Sequence, residues 1–178
     1  LMATVAGNLF ELAQVSGLRL LDLQLPDEFS KAYLGPAFGM AGTRRLSGVM
    51  KGPLIGTIIK PSVGLNAQET AAQVQMLVHG QIDFIKDDEL QADGTYCPFE
   101  ERVQAVMRVV NEATQKLGRQ VMVAFNITGE LDQMKRRHDF VLQHHGSCVM
   151  VCLNSVGLTG LTEFRRHSQL PIHAHRAG

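Results

Sequence analysis

Ile82-Asp83-Phe84-Ile85-Lys86-Asp87-Asp88-Glu89 is a short apolar run that closes on a lysine and three carboxylates in consecutive positions. One strand that turns polar as it leaves a core needs no special explanation. Here the pattern recurs. Leu54 to Lys60, Val121 to Ile127, Cys148 to Leu153 and Leu170 to His175 also read as strands, and each carries polar residues at or beside its C-terminal end. Those residues are Lys60, then Lys86 with Asp87, Asp88 and Glu89, then Asn126, Asn154, and finally His173, His175 and Arg176. Each run is nearly continuous in apolar residues instead of alternating, which marks strands covered on both faces, as in a parallel sheet.

Helical patterns fill the intervals. Asn66 with Glu69 three positions later reads as a capping box, followed by Ala71, Val74, Leu77 and Val78 on one face. Phe99, Val103, Val106, Met107, Val110 and Leu117 recur at helical spacing, and Gly118 stands where a left-handed cap is needed. A third helix is expected over 131–145, ending at Gly146, and a short fourth over 161–167. Strand and helix alternating at this spacing are βαβ units, so the class is α/β: an open doubly wound sheet, or a partial (β/α)8 TIM barrel with five of its units. In a barrel the strand C-termini converge on one mouth, where that fold keeps its catalytic groups. Residues 1–53 differ in kind, with a helix-like start and then a Gly- and Pro-containing stretch from Gly35-Pro36 to Gly52-Pro53 that reads as a linker. The expected division is thus 1–53 as the end of a preceding domain plus linker, and 54–178 as barrel.

At 178 residues and 45% hydrophobic, the chain can bury one sizeable core. Lys plus Arg and Asp plus Glu both number 17, so no net field favours nucleic acid or an anionic membrane. Any charge-driven chemistry is local. No apolar stretch reaches the length of a membrane span, and the N-terminus lacks a signal-peptide pattern. Cys97, Cys148 and Cys152 show no bridging pattern, which fits a reduced, cytoplasmic setting. Starting at Leu1 and stopping after His173-Ala174-His175-Arg176, the sequence reads as a piece of a longer protein.

Within Lys86 to Glu89, strand periodicity puts Lys86 and Asp88 on one face, and Glu89 can swing inward as the strand opens into its loop. A hard cation such as magnesium takes few carboxylates plus water and substrate oxygens, and Asp88 with Glu89 supply them. Lys86 is repulsive to such an ion unless it is neutral, displaced, or converted by carbon dioxide into an anionic carbamate. From these residues alone a salt-bridged strand end remains equally open. Lys60 lies before Pro61, which stops the ladder. Beside a metal its pKa would fall, suiting it to proton transfer, whereas on an open sheet it would snorkel to the surface. His173 and His175 share a strand face and suit a metal, a substrate or a proton, and Arg176 suits a phosphate or carboxylate. His79, His138, His144, His145 and His167 fall on helices or helix ends and are expected to be solvated.

Gly56-Thr57-Ile58-Ile59-Lys60-Pro61 with Gly64-Leu65, then Asp83 to Glu89, then His173-Ala174-His175-Arg176-Ala177 together resemble the RuBisCO large chain, in order and over nearly the whole sequence. Upstream, Gly7-Asn8-Leu9-Phe10 and Leu18 to Leu23 resemble the segment leading from that family's N-terminal domain into its barrel. The resemblance implies the TIM barrel. It also implies magnesium held by a carbamylated Lys86 with Asp88 and Glu89, Lys60 as the acid/base lysine of strand one, Asn8 near metal and substrate, and His175 with Arg176 on substrate oxygens and phosphate. A homodimer is implied for the full-length protein.

Two departures bear on the reaction. Photosynthetic members have a second lysine where this chain has Ser62, and a threonine where it has Ile58. Ser62 cannot supply the cation that helps hold a carboxylation intermediate, while enolisation survives. Ala124 to Gly129 and Asn154 to Gly157 resemble RuBisCO-like (type IV) proteins. The expected activity is magnesium-dependent enolisation of a phosphorylated keto-sugar or sugar acid, of enolase, isomerase or decarboxylase type. An authentic ribulose-bisphosphate carboxylase is the alternative. A zinc hydrolase barrel with a His-x-His pair is a third reading, disfavoured because that pair would open the barrel rather than stand on the fifth run. The isolated piece is expected to be inactive, with an open edge that favours association.

Overall fold

The computed structural model describes residues 1–176; Ala177, which closes the last motif above, lies outside the described residues. The chain forms two units, Leu1–Tyr33 and residue 34 onward. In the first, α1 (Met2–Ala6), a 3₁₀ helix (Asn8–Glu11) and α2 (Asp27–Lys31) flank an extended stretch. None of its described residues is buried. A segment this short cannot enclose a core of its own.

The second unit runs α3 (Gly39–Ser47), β1 (Gly56–Ile58), α4 (Ala67–His79), β2 (Phe84–Lys86), α5 (Phe99–Leu117), β3 (Met122–Asn126), α6 (Leu131–Gln143), β4 (Cys148–Cys152), α7 (Leu153–His167) and β5 (Ile172–His175). All strand pairings are parallel. The sheet order is β1-β2-β3-β4-β5, so every crossover steps in the same direction. A doubly wound sheet would reverse that order partway. The sheet is therefore a half-barrel, as the barrel reading expects.

Alternation along the strands sorts two sets of side chains. Ile85, Val123, Phe125, Val149 and Val151 face outward and pack with α4 to α7 in the main core, together with Val74, Val103, Val106 and Phe164. On the inner face, Met122, Ala124, Cys148 and Met150 form a smaller cluster with Phe84 and Leu46 against it. Gly56 belongs to that inner face, where a Cβ would stand 3.2 Å from the Cβ of Phe84. At the lower rim Asp83 accepts from Ile55 N (2.9 Å) and Arg119 Nη1 (2.9 Å), tying β1, β2 and β3 together.

The Asn66 capping box is present, its side chain accepting from Gln68 N and Glu69 N while Glu69 returns a bond to Asn66 N. Gly118 takes φ 66° at the end of α5. Three expectations are corrected. The stretch read as linker contains α3, whose glycines hide a helix that places Leu46 on the inner cluster and ends at Gly48 with φ 73°. The helix expected over 161–167 begins already at Leu153 and is broken at Gly157 (φ 73°, ψ 165°), a conformation that L side chains rarely adopt, so turn-like residues conceal its first turn.

His138 is the third correction, because it is fully buried and not solvated. Its Nε2 accepts from Gln169 N (3.1 Å), which places the ring proton on Nδ1, 2.8 Å from Asp139 Oδ1. His167 Nε2 reaches the same carboxylate oxygen at 2.7 Å. The three side chains lie close enough to suggest a metal site. Yet the His138 nitrogen that would bind the ion already carries the proton donated to Asp139. The cluster instead staples α6 to the turn before β5. Burial pushes the Asp139 carboxyl up, but the bonds from His138 and His167 outweigh it and hold it below its ordinary value. A depressed folded-state pKa adds stability above the unfolded value, lost as pH falls through the folded one. Asp139→Asn should therefore reduce the acid sensitivity of the whole protein's unfolding below about pH 4, read as the difference in melting temperature between pH 6 and pH 3. An unchanged difference would count against the staple.

Candidate functional site

The inner face ends at the C-terminal rim in a cluster of charge. Lys60, just past β1, donates from Nζ to Asp88 Oδ2 (2.5 Å) and to Ser62 Oγ (2.9 Å). Ser62 Oγ in turn donates to the same Asp88 oxygen (2.9 Å). The other Asp88 oxygen accepts from Leu90 N (2.9 Å). Lys86 Nζ donates to Asp87 O (2.8 Å) and Glu89 Oε2 (3.2 Å), and lies 3.6 Å from Met150 Sδ. His175 Nε2 stands 3.9 Å from Glu89 Oε2. Among the described residues, His175 Nδ1 is the buried side-chain nitrogen or oxygen that lacks a hydrogen-bond partner.

The electrostatics follow from these contacts. The Asp88 bond pushes Lys60 above its ordinary pKa. Burial raises Asp88, yet the bonds from Lys60, Leu90 N and Ser62 prevail and hold it low. Glu89 is lowered by its own backbone N–H and by Lys86, against burial. Burial, Lys86 and His175 all push His173 down, and its ring lies 5.5 Å from that of Phe84. The fall expected for Lys60 applies beside a cation, and here its neighbour is a carboxylate.

Below the rim the turn is held from outside the sheet. Asp87 points outward to Arg102 of α5, with Oδ2 accepting from Arg102 Nε (3.2 Å) and Asn126 N (3.0 Å). Arg102 also donates to Cys97 O, Gln91 O and Ala92 O, and none of its surface is exposed. Burial opposes its charge, but Asp87 and Cys97 outweigh that and keep it protonated. Asp87 itself is pushed up by burial, against Arg102 and Asn126 N. With a guanidinium in contact, a charged pair is the state this geometry holds.

The structure thus brings Lys60, Lys86, Asp88, Glu89 and His175 to one rim. Arg176 follows β5 and is exposed. Asn8 opens the 3₁₀ helix of the first unit. Asn154 lies exposed in the first turn of α7. Ser62 and Arg102 were not singled out as partners of this motif, and their bonds to Asp88 and Asp87 join positions far apart in sequence. A cleft of about 370 Å³ between α5 and α6, lined by Asp93, Phe99, Glu101, Gln133, Arg136 and Arg137, contains none of the rim residues.

As an ammonium, Lys86 leaves this rim two cations and two carboxylates, with no room in the charge balance for a divalent ion. As a carbamate it would change local charge by two units and join Asp88 and Glu89 as a third oxygen donor. That donor set suits magnesium rather than a soft metal.

Comparison with known proteins gives this rim a family. The chain is 71% identical over 178 residues to a 3-oxo-isoapionate-4-phosphate transcarboxylase/hydrolase of Xanthobacter autotrophicus, covering all of this chain and 43% of that protein. It is 44% identical over 179 residues to a 3-oxo-isoapionate-4-phosphate decarboxylase of Rhizobium rhizogenes, with 100% and 43% covered. A rubisco-like protein from Burkholderia fungorum, known from its crystal structure, superposes with a TM-score of 0.93 at 50% identity, covering 99% of this chain and 44% of that one. The chain therefore spans less than half the length of these relatives. Residues 39–178 match the family described as ribulose bisphosphate carboxylase large chain, catalytic domain, and it is to this family that the chain belongs.

Proposed function

We propose that the whole protein is a RuBisCO-like, magnesium-dependent enzyme that forms the enolate of a phosphorylated 3-oxo sugar acid by breaking the bond to its carboxylate, of decarboxylase or transcarboxylase type. The observation that carries this reading is the paired rim, Lys60 on Asp88 and Lys86 on Glu89, at the mouth of a half-barrel. The names of the relatives at 71% and 44% identity supply the substrate class. A 3-oxo acid bears its keto group one carbon beyond the carbon that carries the carboxylate. When that carbon–carbon bond breaks, carbon dioxide leaves and the electron pair enters an enolate. Magnesium, held by carbamylated Lys86, Asp88 and Glu89, would supply the positive charge that favours this enolate.

The chain's own residues do the rest. Lys60 Nζ sits at the rim, where it can deliver a proton to the enolate carbon or hold its oxygen. His175, its Nδ1 unpaired, orients a substrate oxygen. Arg176 completes substrate binding on the phosphate. Ser62 brings a hydroxyl instead of a second cation, so carboxylation of ribulose bisphosphate is disfavoured. A homodimer in the cytoplasm completes the proposal. Among the described residues no helix is long and apolar enough to cross a membrane.

The test uses the full-length protein with 3-oxo-isoapionate 4-phosphate and, separately, ribulose bisphosphate, each with magnesium and bicarbonate. Turnover of the 3-oxo acid, abolished by a chelator and restored by magnesium, is the expected result. Robust carboxylation of ribulose bisphosphate without turnover of the 3-oxo acid would overturn the reading.

A further inference from the structure

Asn126 closes β3 on the inner face and is completely buried. Its amide has two donor hydrogens and an oxygen that can accept twice, and every one is used. Nδ2 donates to Asp88 O (3.3 Å) and Glu89 O (2.9 Å). Oδ1 accepts from Thr128 N (3.1 Å) and Thr128 Oγ1 (2.7 Å). The orientation is unambiguous, since a flipped amide would turn its oxygen on two carbonyls and its NH2 on an N–H. Thr128 Oγ1 also accepts from Cys152 N (3.0 Å), which carries the network to β4.

From this geometry we infer that Asn126 is a positioning residue for the acidic pair, with Thr128 as its buttress. The two carbonyls it holds belong to Asp88 and Glu89 themselves. Fixing them fixes the two peptide planes on which these side chains are mounted, and so the direction each carboxylate takes into the mouth. Asp88 has other restraints in Lys60, Ser62 and Leu90 N. Glu89 has few, being partly exposed and held by Lys86 at 3.2 Å. Asn126 therefore matters most for Glu89. Arg102 holds the same turn by Asp87 and by residues beyond Glu89, leaving the acidic pair's own carbonyls to Asn126. This inference rests on the proposed magnesium site and names a residue outside its ligand set.

The experiment measures magnesium affinity by titration calorimetry in bicarbonate buffer on the full-length protein, at a temperature where every variant is folded, alongside kcat and KM. Asn126→Asp keeps the shape but faces both carbonyls with an acceptor, and should weaken magnesium binding about 10- to 100-fold, the range for residues that orient metal ligands. Thr128→Val removes the buttress at constant shape and should give a smaller loss in the same direction, while Thr128→Ser should restore affinity. Phe164→Leu, which disturbs the outer core, should lower the melting temperature and leave affinity unchanged. If Asn126→Asp does not fold, Thr128→Val against Thr128→Ser decides the matter. Wild-type affinity in Asn126→Asp, or in Thr128→Val should the former be unfolded, overturns the positioning role while the proposed function stands. A wild-type protein that binds no magnesium overturns both.

Discussion

Lys86→Arg in the whole protein should lower turnover of the 3-oxo acid about 100- to 1,000-fold, the scale of losing a group that stabilises charge at the reacting oxygen. The choice of arginine is what makes the result informative. Arginine keeps the positive charge and can still reach Glu89, so a lysine that served only as the partner in a 3.2 Å ion pair would be replaced with little loss. It stays protonated at any working pH, however, and so cannot attack carbon dioxide to form a carbamate. Magnesium binding should fall together with activity, and circular dichroism should be unchanged because the ion pair survives. Near-normal kcat in Lys86→Arg would remove Lys86 from the metal site and return the motif to a salt-bridged strand end.

Arg102→Leu should cost about 3–5 kcal/mol of stability, the range for stripping one partner from a buried ion pair. The loss is large because Arg102 satisfies Asp87 and three backbone carbonyls at once; leucine removes all of these bonds and leaves the buried Asp87 carboxylate with Asn126 N and no cation. The double variant Arg102→Leu with Asp87→Leu should be less destabilised than the sum of the two single changes, since it removes the stranded charge with its partner. Denaturant unfolding of the three variants reads this directly. A loss below about 1 kcal/mol for Arg102→Leu would mean that water reaches Asp87 and that the clamp is weak.

The sequence makes visible whatever depends on neighbours along the chain. Asn66 with Glu69 and the stripe from Phe99 to Val110 specify α4 and α5 through contacts within a few residues, and both helices follow. Strand positions were legible, but their lengths were not. The run from Leu54 to Lys60 pairs only over Gly56–Ile58, because a ladder extends only while its neighbour supplies partners. The rim cluster was legible as a set of strand ends. Its wiring was not, since Ser62 with Asp88 and Asn126 with Glu89 join different strands. Arg102 is the sharpest case: a charged residue near the start of a helix reads as solvated, and only the approach of Asp87 from β2 turns it inward. His138 was hidden in the same way, by a partner beyond the end of the next helix.

The one-directional strand order has a consequence for the growing chain on the ribosome. Each strand pairs with the strand made just before it, so no pairing between consecutive strands has to wait for residues not yet synthesised. The acidic turn differs from the strand that carries it. Arg102 and Asn126 are both translated after Glu89, so the turn emerges with its carbonyls and Asp87 unclaimed and takes its final direction only once β3 has docked. The acidic turn is thus fixed one β/α unit later than the strand on which it stands.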